Sequence, residues 1–174
     1  DQSELPARVF HPTHVNRQKS LFAEAQALSQ RGVTVDVTAF PADEDSYSAA
    51  EAITRWLDAD LAVERLTCSS DGAGCLPVFD EHGRLTAMEI GQPVTLIETL
   101  RQLLDEGLAL EQVLPIFTSN PARVADLTHK GRIAVGLEAD LLVLSTTTHI
   151  ASVMARGQWM VREGETTRFG HFEG

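Results

Sequence analysis

The sequence predicts an α/β chain in which parallel strand–helix units give way to an all-β tail. Three patterns carry that expectation. Between Arg8 and Leu127, segments of period two alternate with segments of helical spacing. Gly32, Gly107 and the Asp71-Gly72-Ala73-Gly74 run punctuate them. After Leu127 helical spacing stops and short β segments separated by glycines take over.

Taken in order, Arg8 to His14 (R-V-F-H-P-T-H) reads as a short strand ending in a polar loop, because Pro12 forbids a helix through His11. Leu21, Ala25 and Leu28 follow at helical spacing, with Gly32 as the stop. Val33, Val35 and Val37 alternate with Thr34, Asp36 and Thr38, a strand with β-branched residues on both faces. Ser48 and Glu51 have capping-box spacing, and Ile53, Trp56 and Leu57 form the apolar face behind them. Val63 to Ser70 is a third strand, closed by the turn at 71–74. Phe79 to Thr86 contains D-E-H-G-R, a surface hairpin turn. Pro93 opens a helix carrying Leu96, Ile97, Leu100, Leu103 and Leu104, which is read as a core face. A second helix covers Leu110 to Phe117, and Asn120-Pro121 starts a third as N-cap and N1. Lys130 to Leu144 reads as two short strands, and Gly157-Gln158 as the turn of a hairpin between Val153–Arg156 and Trp159–Arg162.

This order requires parallel β/α units with right-handed crossovers. Three units cannot close a barrel, and as an open sheet they would leave two long unpaired edges. The chain is therefore expected to be part of a larger fold, or to be closed by an oligomer. Its polar opening without Met carries the same expectation of continuity upstream.

The 174 residues carry 14 basic and 25 acidic side chains, a net charge of −11. That excludes a general affinity for nucleic acid phosphates or anionic membranes. Two cysteines, Cys68 and Cys75, make no disulfide scaffold, and Asp1 to Arg8 has no apolar signal segment. The expected setting is cytoplasmic and reduced.

In a β/α barrel the chemistry sits at the C-terminal ends of the strands. That rule selects T-H-V-N-R at 13–17 and S-S-D-G-A-G-C at 69–75. His14 suits a zinc ligand, a general base or a hydrogen-bonded structural histidine. His11, three residues earlier in an extended chain, points to the other face and is not expected to share a metal with it. Asp71 suits a metal ligand, a proton carrier or the first residue of an Asp-Gly turn. Arg17 suits a carboxylate clamp or a surface arginine. No motif supports Cys75 as a nucleophile with His14 or His82 as base, and Cys68 reads as core. Gly72 and Gly74 lack the spacing of a nucleotide loop. His82, His129, His149 and His171 are expected to be solvated.

H-P-T-H-V-N-R at 11–17, S-S-D-G-A-G at 69–74 and K-G-R-I-A-V-G-L-E-A-D-L-L-V-L at 130–144 together resemble the amidohydrolase superfamily. The first two are similar to its isoaspartyl dipeptidase family in particular, and the chain resembles the C-terminal half of such an enzyme. The resemblance implies an α/β fold built from strands six to eight of a (β/α)8 TIM-type barrel, residues 1–128, and the C-terminal segment of a small β-sandwich domain, residues 129–174. It implies two Zn2+ ions per complete site and hydrolysis of β-aspartyl dipeptides. It makes His14 a zinc ligand, Asp71 a zinc ligand and proton shuttle, and Arg17 the partner of the substrate's carboxylate. It places Cys75 where the family has a substrate-contacting serine.

The family also needs an H-x-H motif, a carboxylated lysine and a further histidine. The chain has no H-x-H, and of its only lysines Lys19 opens a helix and Lys130 lies in the tail, so neither can be the bridging lysine. The implied partners are the β-aspartyl dipeptide, the N-terminal half of the barrel and further copies in a homo-oligomer. The chain alone is expected to be inactive. The alternatives are another amidohydrolase, acting on N-acyl amino acids or cyclic amides, and a non-catalytic fragment or interaction module.

Overall fold

The computed structural model describes residues 4–170, so His171 lies outside the described residues. The chain divides into two compact units, with the division after Val124.

The first unit is built on two parallel strands, β1 (Val35–Thr38) and β2 (Leu66–Ser69), paired in the register Asp36↔Thr67 and Thr38↔Ser69. The parallel order expected from strand–helix alternation is present. Helix α1 (Lys19–Ser29) precedes β1 and α2 (Ala49–Asp58) follows it. Helices α3 (Thr95–Asp105), α4 (Leu110–Phe117) and α5 (Ser119–Val124) follow β2 after an antiparallel hairpin, β3 (Cys75–Phe79) and β4 (Leu85–Ile90). No described helix is long and apolar enough to cross a membrane.

The alternation of β1 separates two environments. Val35 and Val37 are fully buried, together with Leu66, Ile53, Trp56, Leu103, Val113 and Ile116. The intervening Asp36 and Thr38 are also buried, among polar groups described below. The capping box of α2 forms as its spacing predicts. Glu51 N–H donates to Ser48 Oγ at 3.2 Å, and Ser48 N–H donates to Glu51 Oε2 at 2.9 Å. Cys68 is buried, and burial pushes its thiol pKa up.

Several sequence expectations are corrected. Residues 8–14 form no strand. Ala7–Val9 is a 3-10 turn, and beyond it Asp36 N–H to Pro12 O, at 2.9 Å, is the single backbone bond described between this segment and β1. Pro12 has no N–H with which to extend the ladder. Helix α1 buries Phe22, Ala25 and Ser29, whereas Leu21 and Leu28 are exposed. The Phe22 ring fixes that rotation by packing on Tyr47 and Trp56, at centroid distances of 5.5 and 6.4 Å. The third strand is shorter than Val63 to Ser70, because Val63–Arg65 is a 3-10 turn. Pro93 stands two residues before α3. Asn120 lies inside α5 and is not its N-cap. Its amide donates to Val63 O and Leu66 O, both at 2.8 Å, and so ties the helix to the entry of β2.

The second unit is a four-stranded antiparallel sheet in the order β5 (Leu141–Leu144), β6 (Ile150–Ala155), β7 (Gln158–Arg162), β8 (Glu165–Thr166). Only one strand forms within 130–144. Residues 131–140 are turns and loop, with Ile133 and Val135 projecting from it. Lys130 holds that loop through ion pairs to Glu138 and Asp140. The β6–β7 turn is Arg156-Gly157, one residue earlier than expected. Both residues have positive φ (49° and 74°), the requirement of a type I′ hairpin.

Candidate active site

The polar groups at the C-terminal ends of β1 and β2 form one cluster. His14 closes the extended segment in a left-handed conformation, φ 60°, and Asp71 leaves β2 in the same region, φ 50°. Non-glycine residues in that region store strain and concentrate at functional sites.

Two buried side chains shape the His14 loop. The Asn16 amide donates to Thr38 O at 2.9 Å and Tyr47 O at 2.8 Å, and its Oδ1 accepts from Thr38 N–H at 2.8 Å. Thr38 Oγ1 then meets His14 Nδ1 at 2.8 Å. With Nδ1 occupied, the other ring nitrogen, Nε2, faces Asp71 Oδ2 at 4.0 Å. Arg17 reaches the same oxygen, Nη2 to Oδ2 at 3.0 Å, while its guanidinium lies over the Phe40 ring, 5.4 Å from the centroid. His14, Arg17 and Asp71 are each only partly exposed.

Glycines permit the Asp71 turn. A Cβ on Gly74 would stand 2.5 Å from Asp71 Oδ1. One on Gly91, at the end of β4, would stand 2.2 Å from Asp71 O. The hairpin base is pinned to this turn by Ala73 N–H to Gly91 O at 3.0 Å and Gly91 N–H to Gly74 O at 2.9 Å.

His14 and Asp71 present an imidazole nitrogen and a carboxylate oxygen, donor types that zinc accepts. A hydrogen bond at the remaining ring nitrogen is the usual support of a ligating histidine, and Thr38 supplies it here. Two ligands about 2.1 Å from a tetrahedral ion stand about 3.4 Å apart, so the pair fits after closing by about 0.6 Å. The two residues thus fit as two members of a donor set. Among the described residues no cluster of three or more His, Cys, Asp or Glu exists that could hold a metal.

The other sequence candidates separate from this cluster. His11 turns away, with Nε2 3.0 Å from Thr67 Oγ1. Cys75 is exposed at the first position of β3, and His82 sits in the turn at the far end of the hairpin, against Glu81 at 3.6 Å. That separation removes His82 as a base for Cys75. His82, His129 and His149 are exposed, as expected of solvated histidines. Thr38, Asn16, Phe40, Asp36 and Gly91 escaped the sequence reading. For Asp36 and Thr38 the signal was the T-x-D-x-T alternation of polar residues at 34–38, and for Asn16 its place within T-H-V-N-R.

A family model described as the amidohydrolase family matches residues 6–160. Among solved structures, a β-aspartyl dipeptidase from Fervidobacterium islandicum AW-1 in complex with β-Asp-Leu dipeptide is 33% identical with a TM-score of 0.85. The match covers 98% of this chain and 44% of that one. A second structure of the β-aspartyl dipeptidase from Fervidobacterium islandicum AW-1 is 30% identical, with a TM-score of 0.80 and coverages of 98% and 42%. A D-hydantoinase (dihydropyrimidinase) from Thermus sp., 18% identical with a TM-score of 0.61, shares the fold, over 90% of this chain and 45% of that one. The chain spans less than half the length of each. The likeness gives it an α/β fold of the TIM-barrel type. With its family model matched from residue 6 to residue 160, the chain belongs to the amidohydrolase family.

Proposed function

We propose that this chain supplies strands six to eight of a (β/α)8 barrel (residues 1–128) and the C-terminal segment of a small β domain (129–174). On this reading the complete protein is a zinc-dependent, cytoplasmic hydrolase of the isopeptide bond in β-aspartyl dipeptides. The observation that carries the reading is the convergence of His14 and Arg17 on one oxygen of Asp71, a residue 54 positions beyond Arg17. The likeness to β-aspartyl dipeptidases supports the substrate class.

His14 Nε2 and the Asp71 carboxylate are the ligands this chain offers. The remaining ligands come from the N-terminal half. Two zinc ions, when bound, supply Lewis acidity and a water of lowered pKa. Asp71 takes the proton of the attacking water on its carboxylate and passes it to the leaving amine, which turns a poor leaving group into a viable one. Arg17 holds the substrate's carboxylate. A guanidinium carries five N–H donors, more than the bond to Asp71 uses, and a charged anchor of this kind orients the scissile bond. Cys75 contacts substrate as a weaker donor than a serine hydroxyl would be.

The test is an assay of the protein completed by the rest of its barrel, on β-aspartyl dipeptides beside hydantoins and N-acyl amino acids, with metal analysis. Zinc-dependent hydrolysis of the β-aspartyl substrates is expected. Turnover of the other panels alone assigns a different amidohydrolase activity. No turnover and no zinc assign a non-catalytic module. The 174-residue chain alone is expected to be inactive, and robust zinc-dependent hydrolysis by it would overturn the division of ligands. Native mass spectrometry of the completed protein checks the expected homo-oligomer.

A further inference from the structure

Strand β1 contributes no candidate ligand, yet it lies between the two segments that do. Its Asp36 is 3% exposed and accepts three hydroxyl hydrogen bonds. Oδ1 takes Thr67 Oγ1 at 2.6 Å. Oδ2 takes both Thr13 Oγ1 at 2.8 Å and Ser69 Oγ at 2.5 Å. Thr13 immediately precedes His14, and Ser69 is two residues before Asp71. One carboxylate oxygen therefore spans the His14 segment and the Asp71 segment.

The span matters because backbone pairing is thin on one side. The β1–β2 ladder fixes Ser69 opposite Thr38. Toward residues 11–14 the single backbone bond described is Asp36 N–H to Pro12 O. The position of His14 therefore depends on side chains: Thr38 and Asn16 within its loop, Asp36 through Thr13, and the contact of His11, three residues earlier, with Thr67. A carboxylate is an acceptor with about four lone-pair sites, so it can take three hydroxyls at once, and it imposes donor polarity on each. With its proton committed to Asp36, Thr67 Oγ1 is left to accept from His11 Nε2, 3.0 Å away.

We infer that Asp36 is a positioning residue, whose Oδ2 sets the distance between His14 and Asp71 by holding Thr13 and Ser69 together. The inference rests on the reading of His14 and Asp71 as metal ligands. It adds to that reading a polar brace beneath the site, separate from any contact with substrate or metal.

The control is built into the same carboxylate. Thr67 donates to Oδ1 and not to the shared oxygen, so Thr67→Val removes a comparable bond, together with the contact to His11 Nε2, and leaves the Oδ2 bridge between Thr13 and Ser69 intact. The experiment uses the completed protein and measures Co2+ affinity by titration, thermal midpoint, and kcat and KM separately, for Thr13→Val, Ser69→Ala and Thr67→Val. Thr13→Val and Ser69→Ala are expected to weaken Co2+ binding about tenfold, the lower end for groups that support ligands. Their activity loss is expected in kcat, with KM unchanged. Thr67→Val is expected to stay within about threefold in Co2+ affinity at a similar loss of thermal midpoint. Thr13→Ser, which restores the hydroxyl, is expected to recover the unaltered affinity. Equal effects for all three variants, or effects that follow thermal midpoint alone, would reduce Asp36 to a structural role. Failure of the unaltered protein to bind Co2+ would also overturn the inference. Co2+ binding in the expected order without β-aspartyl hydrolysis would leave the brace standing and remove the proposed substrate.

Discussion

Gly91→Ala tests how the Asp71 turn is held. Gly91 carries no chemistry and is distant in sequence from the S-S-D-G motif. A Cβ there would stand 2.2 Å from Asp71 O, 2.9 Å from its carbonyl carbon and 3.0 Å from Ser70 O. Uncrowded contacts with carbon begin near 3.5 Å and become costly below about 3 Å. The turn or the glycine must therefore move by about 0.8 Å, taking 3 Å as the limit. Gly91 is poorly placed to yield, because its N–H is bonded to Gly74 O and its C=O to Ala73 N–H. The displacement falls on Asp71. A misplacement of about 1 Å at a reacting group costs on the order of a hundredfold in rate, and overpacking costs about 1–3 kcal/mol of stability. The completed protein carrying Gly91→Ala should therefore lose about a hundredfold in kcat/KM on a β-aspartyl dipeptide and remain folded by circular dichroism. Gly83→Ala in the hairpin turn, where φ is 74° and a Cβ meets nothing within 4 Å, is the comparison for backbone strain without a clash at Asp71. Full activity in Gly91→Ala would refute the claim that this close approach positions Asp71.

Three further outcomes are expected. Asn16→Ala strands Thr38 N–H and two carbonyls, and should cost about 3 kcal/mol in urea unfolding. A loss under 1 kcal/mol would mean that water replaces the amide. Cys75→Ser restores a stronger donor and should lower KM for a β-aspartyl dipeptide severalfold with kcat unchanged. An unchanged KM would take Cys75 out of substrate binding. In the second unit, hydrogen bonds from Lys130, aided at Asp140 by the Arg156 N–H, hold the Glu138 and Asp140 carboxyls below their usual range, and raise Lys130 in return. Depressed carboxylates stabilise above their ordinary pKa, and that contribution fades as pH falls through it; the raised lysine contributes below its ordinary pKa and fades as pH rises past its folded value. The thermal midpoint of Lys130→Met should thus fall below the unaltered value near neutrality, converge with it in acid, and approach it in high salt. A gap independent of pH would point to lost packing instead.

What proved legible in the sequence was local. The Ser48–Glu51 capping box lies within one turn of α2, and both its donors and acceptors are three residues apart. Val33 to Thr38 reads as a strand because β-branched alternation has few other uses, and the strand forms over its last four residues, Val35–Thr38. Gly107, with φ 91°, follows the end of α3 because such a stop needs a residue without a Cβ. The expectations that failed had partners far away. Asn120 has the type and context of an N-cap, but its amide is claimed by carbonyls 54 and 57 residues earlier. Helix α1 offers two overlapping apolar stripes, and only Tyr47 and Trp56 decide that Phe22 and not Leu21 is buried.

The candidate site divides in the same way. His14, Arg17 and Asp71 stand out in the sequence because a β/α barrel carries its chemistry at the C-terminal ends of its strands. Their meeting is a tertiary fact, since no spacing in the chain implies that Arg17 and His14 face one oxygen of Asp71. Asp36 shows the limit most clearly. By itself the sequence determined that this residue alternates with Val35 and Val37 along a strand and so points to the face opposite theirs. Only the parallel pairing with β2, and the single bond to the residues before His14, decided that its carboxylate would bridge the two segments carrying the site. Hydrogen bonds reach about 3 Å whatever the separation in sequence, so the partners of a buried carboxylate are chosen by the fold.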